Sequence, residues 1–338
     1  MSDQFRMIFN GYNEISVRYD IDQEAIWCYF RPQSRPCFSP LLLQESKELQ
    51  QSIIKYLTSD IPEKYPIKYF ILASQTPGVF NFGGDLSLFI KLIEAKESDQ
   101  LLEYAKNCID ICYMNAVSMH LPLTTISLVQ GSALGGGFES ALSSNVLIAE
   151  EHADLGVPEI RFNLFPGMGA YSFLARKCGS YIAEKVLRSG KIYDAREMHE
   201  MNIVDVLVES GEGFDAVDQY IKKHRRAQNG MQAIQSVKQF YDPITYEELI
   251  GISKIWVDAA LKLTQTDLRV MQRIVSAQNR GFLHSSPANK TPLVRTKQDR
   301  RINYQNVIFP LFDNAGKKIP FDRRRSDRRE GYHMQMSG

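Results

Sequence analysis

The chain has 338 residues, and its 40 Lys and Arg against 39 Asp and Glu leave a formal net charge of +1, which excludes a whole-chain nucleic-acid binder built on basic excess. Hydrophobic residues at 44% and charged residues at 23% exclude wholesale disorder and supply enough apolar surface for a sizeable core. No apolar run approaches the ~18 residues of a membrane-spanning helix, so no span is expected.

Met1 to Met7 show no basic segment followed by an apolar one, so no secretory signal and a cytoplasmic location are expected. Glu14 to Tyr19 and Ala25 to Phe30 read as strands around the polar turn Asp20-Ile21-Asp22-Gln23. A helix is expected from about Ser39 to Leu57, because Leu42, Leu43, Leu49, Ile53 and Ile54 recur at three- and four-residue spacing. Ile67 to Ala73 is short and mostly apolar, as a buried parallel strand is. A glycine-containing loop, Pro77 to Gly84, then leads into helical sequence up to about His120. The unit repeats: strand Thr124 to Val129, a turn with Gly131, Gly135, Gly136 and Gly137, and a helix through Ser143. A third strand, Val146 to Ala149, leads through Pro158 to a loop with Gly167 and Gly169 and a further helix. A last strand, Ile203 to Val208, precedes mainly helical sequence from Phe214 to Gly281. This alternation implies an α/β fold with parallel packing and ligand sites at the carboxyl ends of the strands. The expected division is a catalytic core over 1–210, a C-terminal helical region over 211–281 and a basic tail over 282–338.

Three loops carry the chemistry, two of them rich in glycine. Gly135-Gly136-Gly137 follows a buried strand and opens a helix, so its amides can approach a ligand closely; a tight turn would use the same glycines. Glu139 lies in the first turn of that helix, where a carboxylate also suits the helix dipole. Twenty residues on, Glu159 follows Pro158 among Leu155, Val157 and Ile160. Burial of a carboxylate in so apolar a context is costly unless the group has a partner or a task. Two such carboxylates suit general acid and general base, without indicating which is which. The third loop, Val79 to Asp85, again offers free amides, and amides from two loops could converge on a thioester carbonyl; Asp85 itself reads as a helix cap.

Other patterns carry less. The five cysteines form no two close pairs and the six histidines no HExxH, so reduced thiols and no metal site are expected. Gly211-Glu212-Gly213 follows a strand and opens a helix, but no second strand with an acidic end follows, so it reads as a loop and not a dinucleotide fingerprint. Lys222-Lys223-His224-Arg225-Arg226 reads as a solvated helix end, with docking of an acidic carrier protein as the alternative. No Gly-x-Ser-x-Gly elbow is present.

Phe80-Asn81-Phe82-Gly83-Gly84-Asp85, Gly131 to Glu139, Pro158-Glu159 and Phe165-Pro166-Gly167-Met168-Gly169 stand in the order found in crotonases. Over roughly residues 8–281 the chain resembles the enoyl-CoA hydratase/isomerase superfamily. Within it, the chain more closely resembles bacterial diffusible signal factor synthases, through Phe80 to Phe89, Leu128 to Ala141, Ile148-Ala149-Glu150-Glu151 and Leu164 to Phe173. Ile255-Trp256-Val257-Asp258 and Ala277-Gln278-Asn279-Arg280 add to it. The resemblance implies a spiral of ββα units, an oxyanion hole from the backbone amides of Gly84 and Gly136, and proton transfer by Glu139 and Glu159. It implies no cofactor. The expected reaction is dehydration of a 3-hydroxyacyl thioester on acyl carrier protein to a cis-2-enoyl thioester, with hydrolysis to a free unsaturated fatty acid that serves as a signal.

Substrate contacts are expected from Phe82, Gly83, Leu86, Phe89, Gly135, Leu155, Phe162, Gly167 and Met168; the apolar ones suit core packing as well. A homo-oligomer and a sensor-kinase regulator are further implied. The alternatives are an enoyl-CoA hydratase acting on CoA esters and a non-catalytic regulatory protein acting through its tail.

The tail departs from that family. Residues 282–338 hold 12 Lys and Arg against 5 Asp and Glu, a net of +7, whereas the rest holds 28 against 34, a net of −6. Ser285-Ser286-Pro287 and Thr291-Pro292 read as a linker, Asn303 to Phe312 as a strand, Asp313 to Gly316 as a turn and Arg323 to Arg329 as a solvated run. Docking to an acidic partner is one alternative for the arginines; phosphate or nucleic-acid binding is another, against which few aromatics interleave with them. Their four-residue spacing is shared with cyclic-dinucleotide-binding PilZ domains, but the Asp-x-Ser-x-x-Gly element is missing.

Overall fold

The computed structural model describes residues 3–9, 11–59, 65–285, 311–312 and 318–319. The chain forms two compact units, residues 1–286 and 287–338. In the second, the described residues form a two-stranded antiparallel ladder, Leu311–Phe312 with Lys318–Ile319. That ladder takes up the end of the strand expected over 303–312. The turn at 313–316, the linker after Ser285 and the arginine run lie outside the described residues.

The first unit opens with α1 (Asp3–Met7) and a hairpin of β1 (Ile15–Asp20) and β2 (Ala25–Phe30), in register from Ile15 opposite Phe30 to Asp20 opposite Ala25. Helix α2 (Pro40–Leu57) starts where Ser39 accepts the Leu42 amide on its hydroxyl and Pro40 occupies the first helical position. Three repeats follow. The first is β3 (Tyr69–Ser74), β4 (Val79–Asn81), α3 (Leu86–Ala95) and α4 (Ser98–Ala116). The second is β5 (Thr124–Val129), β6 (Ser132–Leu134) and α5 (Gly136–Leu142). The third is β7 (Val146–Glu150), β8 (Asp154–Gly156), α6 (Ala170–Cys178) and α7 (Ser180–Ser189). The chain continues through β9 (Ile192–Asp194), α8 (Ala195–Glu200), β10 (Val206–Val208), α9 (Gly213–His224), α10 (Gln228–Tyr241), α11 (Tyr246–Ala260) and α12 (Gln265–Ser285).

Each repeat gives its first strand to one sheet and its second to another. The larger sheet has the order β1-β2-β3-β5-β7-β10, parallel except for the β1–β2 hairpin; the smaller has β4-β6-β8-β9 with β9 antiparallel. This is the α/β spiral expected. The four central strands of the larger sheet, β2, β3, β5 and β7, are buried on both faces. Ile26, Cys28 and Phe30 of β2 enter the main core, whereas Trp27 on the opposite face packs at a tilt against Phe214 of α9, ring centroids 5.4 Å apart. Phe30 bridges inward to Phe80 of β4 at 5.3 Å, packing one sheet on the other.

Two differences from the sequence reading have local causes. The final strand is only Val206–Val208, because Ile203 and Val204 close the C-terminal turn of α8, their amides donating to the Met198 carbonyl. The last helix runs through Gly281 to Ser285, since a helix-interior glycine costs only about 1 kcal/mol. Among the described residues no helix is long and apolar enough to cross a membrane. Cys28, Cys37, Cys108, Cys112 and Cys178 are unpaired, and no group of three or more described His, Cys, Asp or Glu side chains is arranged to hold a metal ion.

Candidate active site

The second strands end at one place, and their glycine turns meet there. Gly83 has φ of 90°, and a β-carbon on it would fall 2.6 Å from the Gly136 nitrogen. Only glycine lets the β4–α3 turn approach the start of α5 this closely. Around that contact the amides are accounted for. Phe82 donates to the Pro36 carbonyl at 2.7 Å, Gly83 to Asn81 Oδ1 at 2.7 Å, and Asp85 to the Tyr104 hydroxyl at 3.1 Å. The Gly84 amide between them has no acceptor among the described residues, and neither does that of Gly136 at the first position of α5. Asp85 caps α3, accepting from Ser87 and Leu88 and pairing with Arg35 at 2.5 Å.

Glu139 projects from the first turn of α5 and is 1% exposed. Its Oε1 accepts from the Met168 amide at 2.7 Å and the Ala170 amide at 2.9 Å, at the start of α6. Burial pushes its carboxyl well above the usual carboxylate range, against the pull of those amides. Glu159 lies on the helical turn Pro158–Phe162. The residue is half-buried as a whole, but its Oε2 is sealed from solvent without a hydrogen-bond partner. Burial first, and then the charge of Glu139, push this carboxyl up as well. Gly135, with φ of 53°, makes room for it: a β-carbon there would lie 2.5 Å from Glu159 Oε1.

Both carboxyls open into one cavity of about 310 Å³. Phe82, Gly84, Leu86, Phe89, Gly135, Gly136, Phe162, Gly167 and Met168 line it, together with the two glutamates. Two residues expected among the substrate contacts do not. Leu155 is fully buried in β8, paired with Ala133 and Tyr193, because the alternation of that short strand turns it into the sheet core. Gly83 sits behind the lining as the close-approach point against Gly136. The cavity also uses residues the sequence reading passed over: Tyr104 and Cys108 from α4, Arg161 beside Glu159, and Trp256, Ile274 and Gln278 from α11 and α12. Trp256 meets Phe89 edge-on at 5.0 Å and packs where a β-carbon on Gly167 would be, 2.5 Å from its ring. Trp256 and Gln278 lie in the two C-terminal stretches that carry the family resemblance, Ile255 to Asp258 and Ala277 to Arg280, which does not by itself mark them as cavity wall.

The Gly211–Gly213 loop is settled by Glu150. Its carboxylate accepts from Gly211 at 2.8 Å, Gly213 at 3.0 Å and Gln130 at 2.7 Å. The amides that a phosphate would need are already committed.

The enoyl-CoA hydratase/isomerase family model matches residues 45–271. Human mitochondrial methylglutaconyl-CoA hydratase is 26% identical over 171 residues, covering 50% of this chain and 48% of that protein. Probable enoyl-CoA hydratase 2, mitochondrial, of Arabidopsis thaliana is 29% identical over 170 residues, covering 50% and 54%. The chain thus spans about half the length of the curated relatives it matches. Among solved structures, human mitochondrial delta3-delta2-enoyl-CoA isomerase aligns with a TM-score of 0.64 at 18% identity, covering 80% of this chain and 99% of that one. Pseudomonas aeruginosa DspI aligns with a TM-score of 0.59 at 18% identity, covering 80% and 98%. At these identities the likeness is one of fold.

Proposed function

The chain belongs to the enoyl-CoA hydratase/isomerase family, and we propose that it dehydrates a 3-hydroxyacyl thioester in the cavity between Glu139 and Glu159. The observation that carries this reading is the pairing of two buried carboxyls, each pushed up by burial, with two uncommitted glycine amides on the same cavity. The thioester carbonyl would accept from the amides of Gly84 and Gly136, which stabilise the enolate-like oxyanion as it forms. One carboxylate takes the α-proton while the other, as the acid, protonates the departing β-hydroxyl. Water leaves, and the pair holds one proton before and after. Two mutually repelling buried carboxyls on one cavity favour that singly protonated state near neutral pH. The same pair can activate water against the thioester carbonyl: one carboxylate takes the proton from water as the C–O bond forms, the other protonates the departing thiol as the C–S bond breaks, and the free unsaturated acid and the carrier's thiol are released.

The finer reading is a diffusible signal factor synthase acting on acyl carrier protein; the motif resemblance supports it. The second reading, an enoyl-CoA hydratase using CoA esters, is supported by the names of the curated relatives. Turnover of 3-hydroxyacyl-carrier protein against 3-hydroxyacyl-CoA separates the two. Carrier-protein use with release of a free 2-enoic acid is expected, and exclusive use of CoA refutes the finer reading.

We place self-association on the C-terminal helices. None of the 14 residues of α10 is buried, and Phe240 is 91% exposed; sedimentation of the full chain and of a Phe240→Asp variant tests this. Regulation by a sensor kinase belongs to the same reading, and co-purification tests it.

A further inference from the structure

We propose that the Tyr104 hydroxyl is the positioning group that aims the Gly84 amide; the inference rests on the oxyanion role given to that amide above. A planar trans peptide points its N–H opposite to its C=O, so whatever fixes the carbonyl aims the amide. The Gly84 N–H shares a peptide with the Gly83 carbonyl, which accepts from the Phe38 amide at 2.7 Å. The carbonyl of Phe38 in turn accepts from the Tyr104 hydroxyl. That hydroxyl also accepts from the Asp85 amide at 3.1 Å, which belongs to the peptide on the other side of the Gly84 α-carbon. Both peptides flanking Gly84 are therefore held, one through Phe38 and one directly, and the two restraints converge on one oxygen atom.

The placement of Tyr104 suits this task. Its ring is 6% exposed, lines the cavity, and meets Phe89 edge-on at 5.0 Å and 90°. The Phe89 ring packs on Gly84, lying 2.6 Å from where a β-carbon would stand. The Arg35–Asp85 pair restrains the same loop from the side chain and leaves the peptide planes to Tyr104. Removing the hydroxyl keeps the packing but strips the buried Phe38 carbonyl and the partly buried Asp85 amide of a shared partner. The Gly84 amide then keeps only the hold of the Phe38 amide on the Gly83 carbonyl, and misdirection of a single donor is felt in the transition state more than in substrate binding.

The test compares the full-length wild type and Tyr104→Phe, each saturated with a saturated acyl-carrier protein carrying carbon-13 at the thioester carbonyl. The carbonyl stretch is read by difference infrared spectroscopy, alongside kcat and KM for dehydration. The wild type should shift the stretch to lower frequency, and Tyr104→Phe should lose most of that shift. Its kcat should fall about 10- to 100-fold, less than the 10²–10³ for outright loss of an oxyanion donor, with KM within about twofold. As a structural control, Asp110→Asn on α4 weakens the contacts to Lys47 and Tyr246 and should leave the shift in place. If Tyr104→Phe does not fold, 3-fluorotyrosine at 104 should move the stretch in a smaller step. A shift unchanged in Tyr104→Phe, or lost equally in Asp110→Asn, overturns the positioning role alone. Absence of any shift in the wild type overturns the oxyanion reading and this inference with it.

Discussion

Glu159→Gln should make the protein more stable, and increasingly so as the pH rises. In the folded chain Glu159 Oε2 is sealed from water without a partner and faces the charge of Glu139. Its carboxyl is pushed up, so between the ordinary glutamate value near about 4.3 and the raised one the native state binds more protons than the unfolded state. Unfolding free energy then falls with pH over that window. Each unit of upward shift costs about 1.4 kcal/mol once the pH exceeds the raised value. Allowing for relaxation around the site, the neutral amide should recover about 1–3 kcal/mol near pH 9 and essentially nothing near pH 5. For a unit of this size that is a Tm gain of about 2–8 °C at the high end. Thermal unfolding of wild type and variant at steps from about pH 5 to 9 measures it directly. A Tm difference that is flat across the range, or that shrinks as the pH rises, would falsify the assignment of Glu159 as a carboxyl buried at a cost.

Further outcomes follow from the same geometry. Because one carboxyl must be ionised and the other protonated, kcat should be bell-shaped in pH, with both limbs displaced above the ordinary carboxylate range; a flat profile contradicts the shared proton. Gly135→Ala combines a positive φ with a β-carbon 2.5 Å from Glu159 Oε1, so it should cost about 1–3 kcal/mol and depress kcat, whereas unchanged calorimetry and turnover would refute the crowding. Glu150→Ala strips the Gly211, Gly213 and Gln130 donors of their acceptor and should destabilise the chain by about 2–4 kcal/mol. Because Glu150 lies away from the cavity lining, the folded fraction should turn over normally, and a specific activity loss would show it acts at the site.

The parts of the site that were legible in the sequence are those whose requirement is local. A glycine with positive φ such as Gly135 leaves a mark because no other residue fits, and carboxylates as close to apolar runs as Glu139 and Glu159 stand out. The strands Ala25–Phe30 and Thr124–Val129 are readable from β-branched, aromatic and apolar runs bounded by turn residues. Leu155 misled because its neighbours in sequence border the cavity, while a three-residue strand turns alternate side chains away from it. Trp256, Ile274 and Gln278 reach the cavity from helices more than ninety residues beyond Glu159. Amphipathic spacing tells that such helices pack but not on which wall. Tyr104 was hidden for a related reason: its role lies in a hydroxyl shared by two backbone groups, and nothing in the spacing of α4 marks it.

The central claim is that Glu139 and Glu159 together remove water from a 3-hydroxyacyl thioester. Mass spectrometry of the acyl products after incubation of 3-hydroxyacyl-carrier protein with wild type, Glu139→Gln and Glu159→Gln tests it most directly. The account predicts a dehydrated thioester and its free 2-enoic acid from the wild type, and a loss of at least about 10²–10⁴-fold in either variant, each still folded. Unaltered substrate with the wild type, or full turnover in either variant, would contradict it.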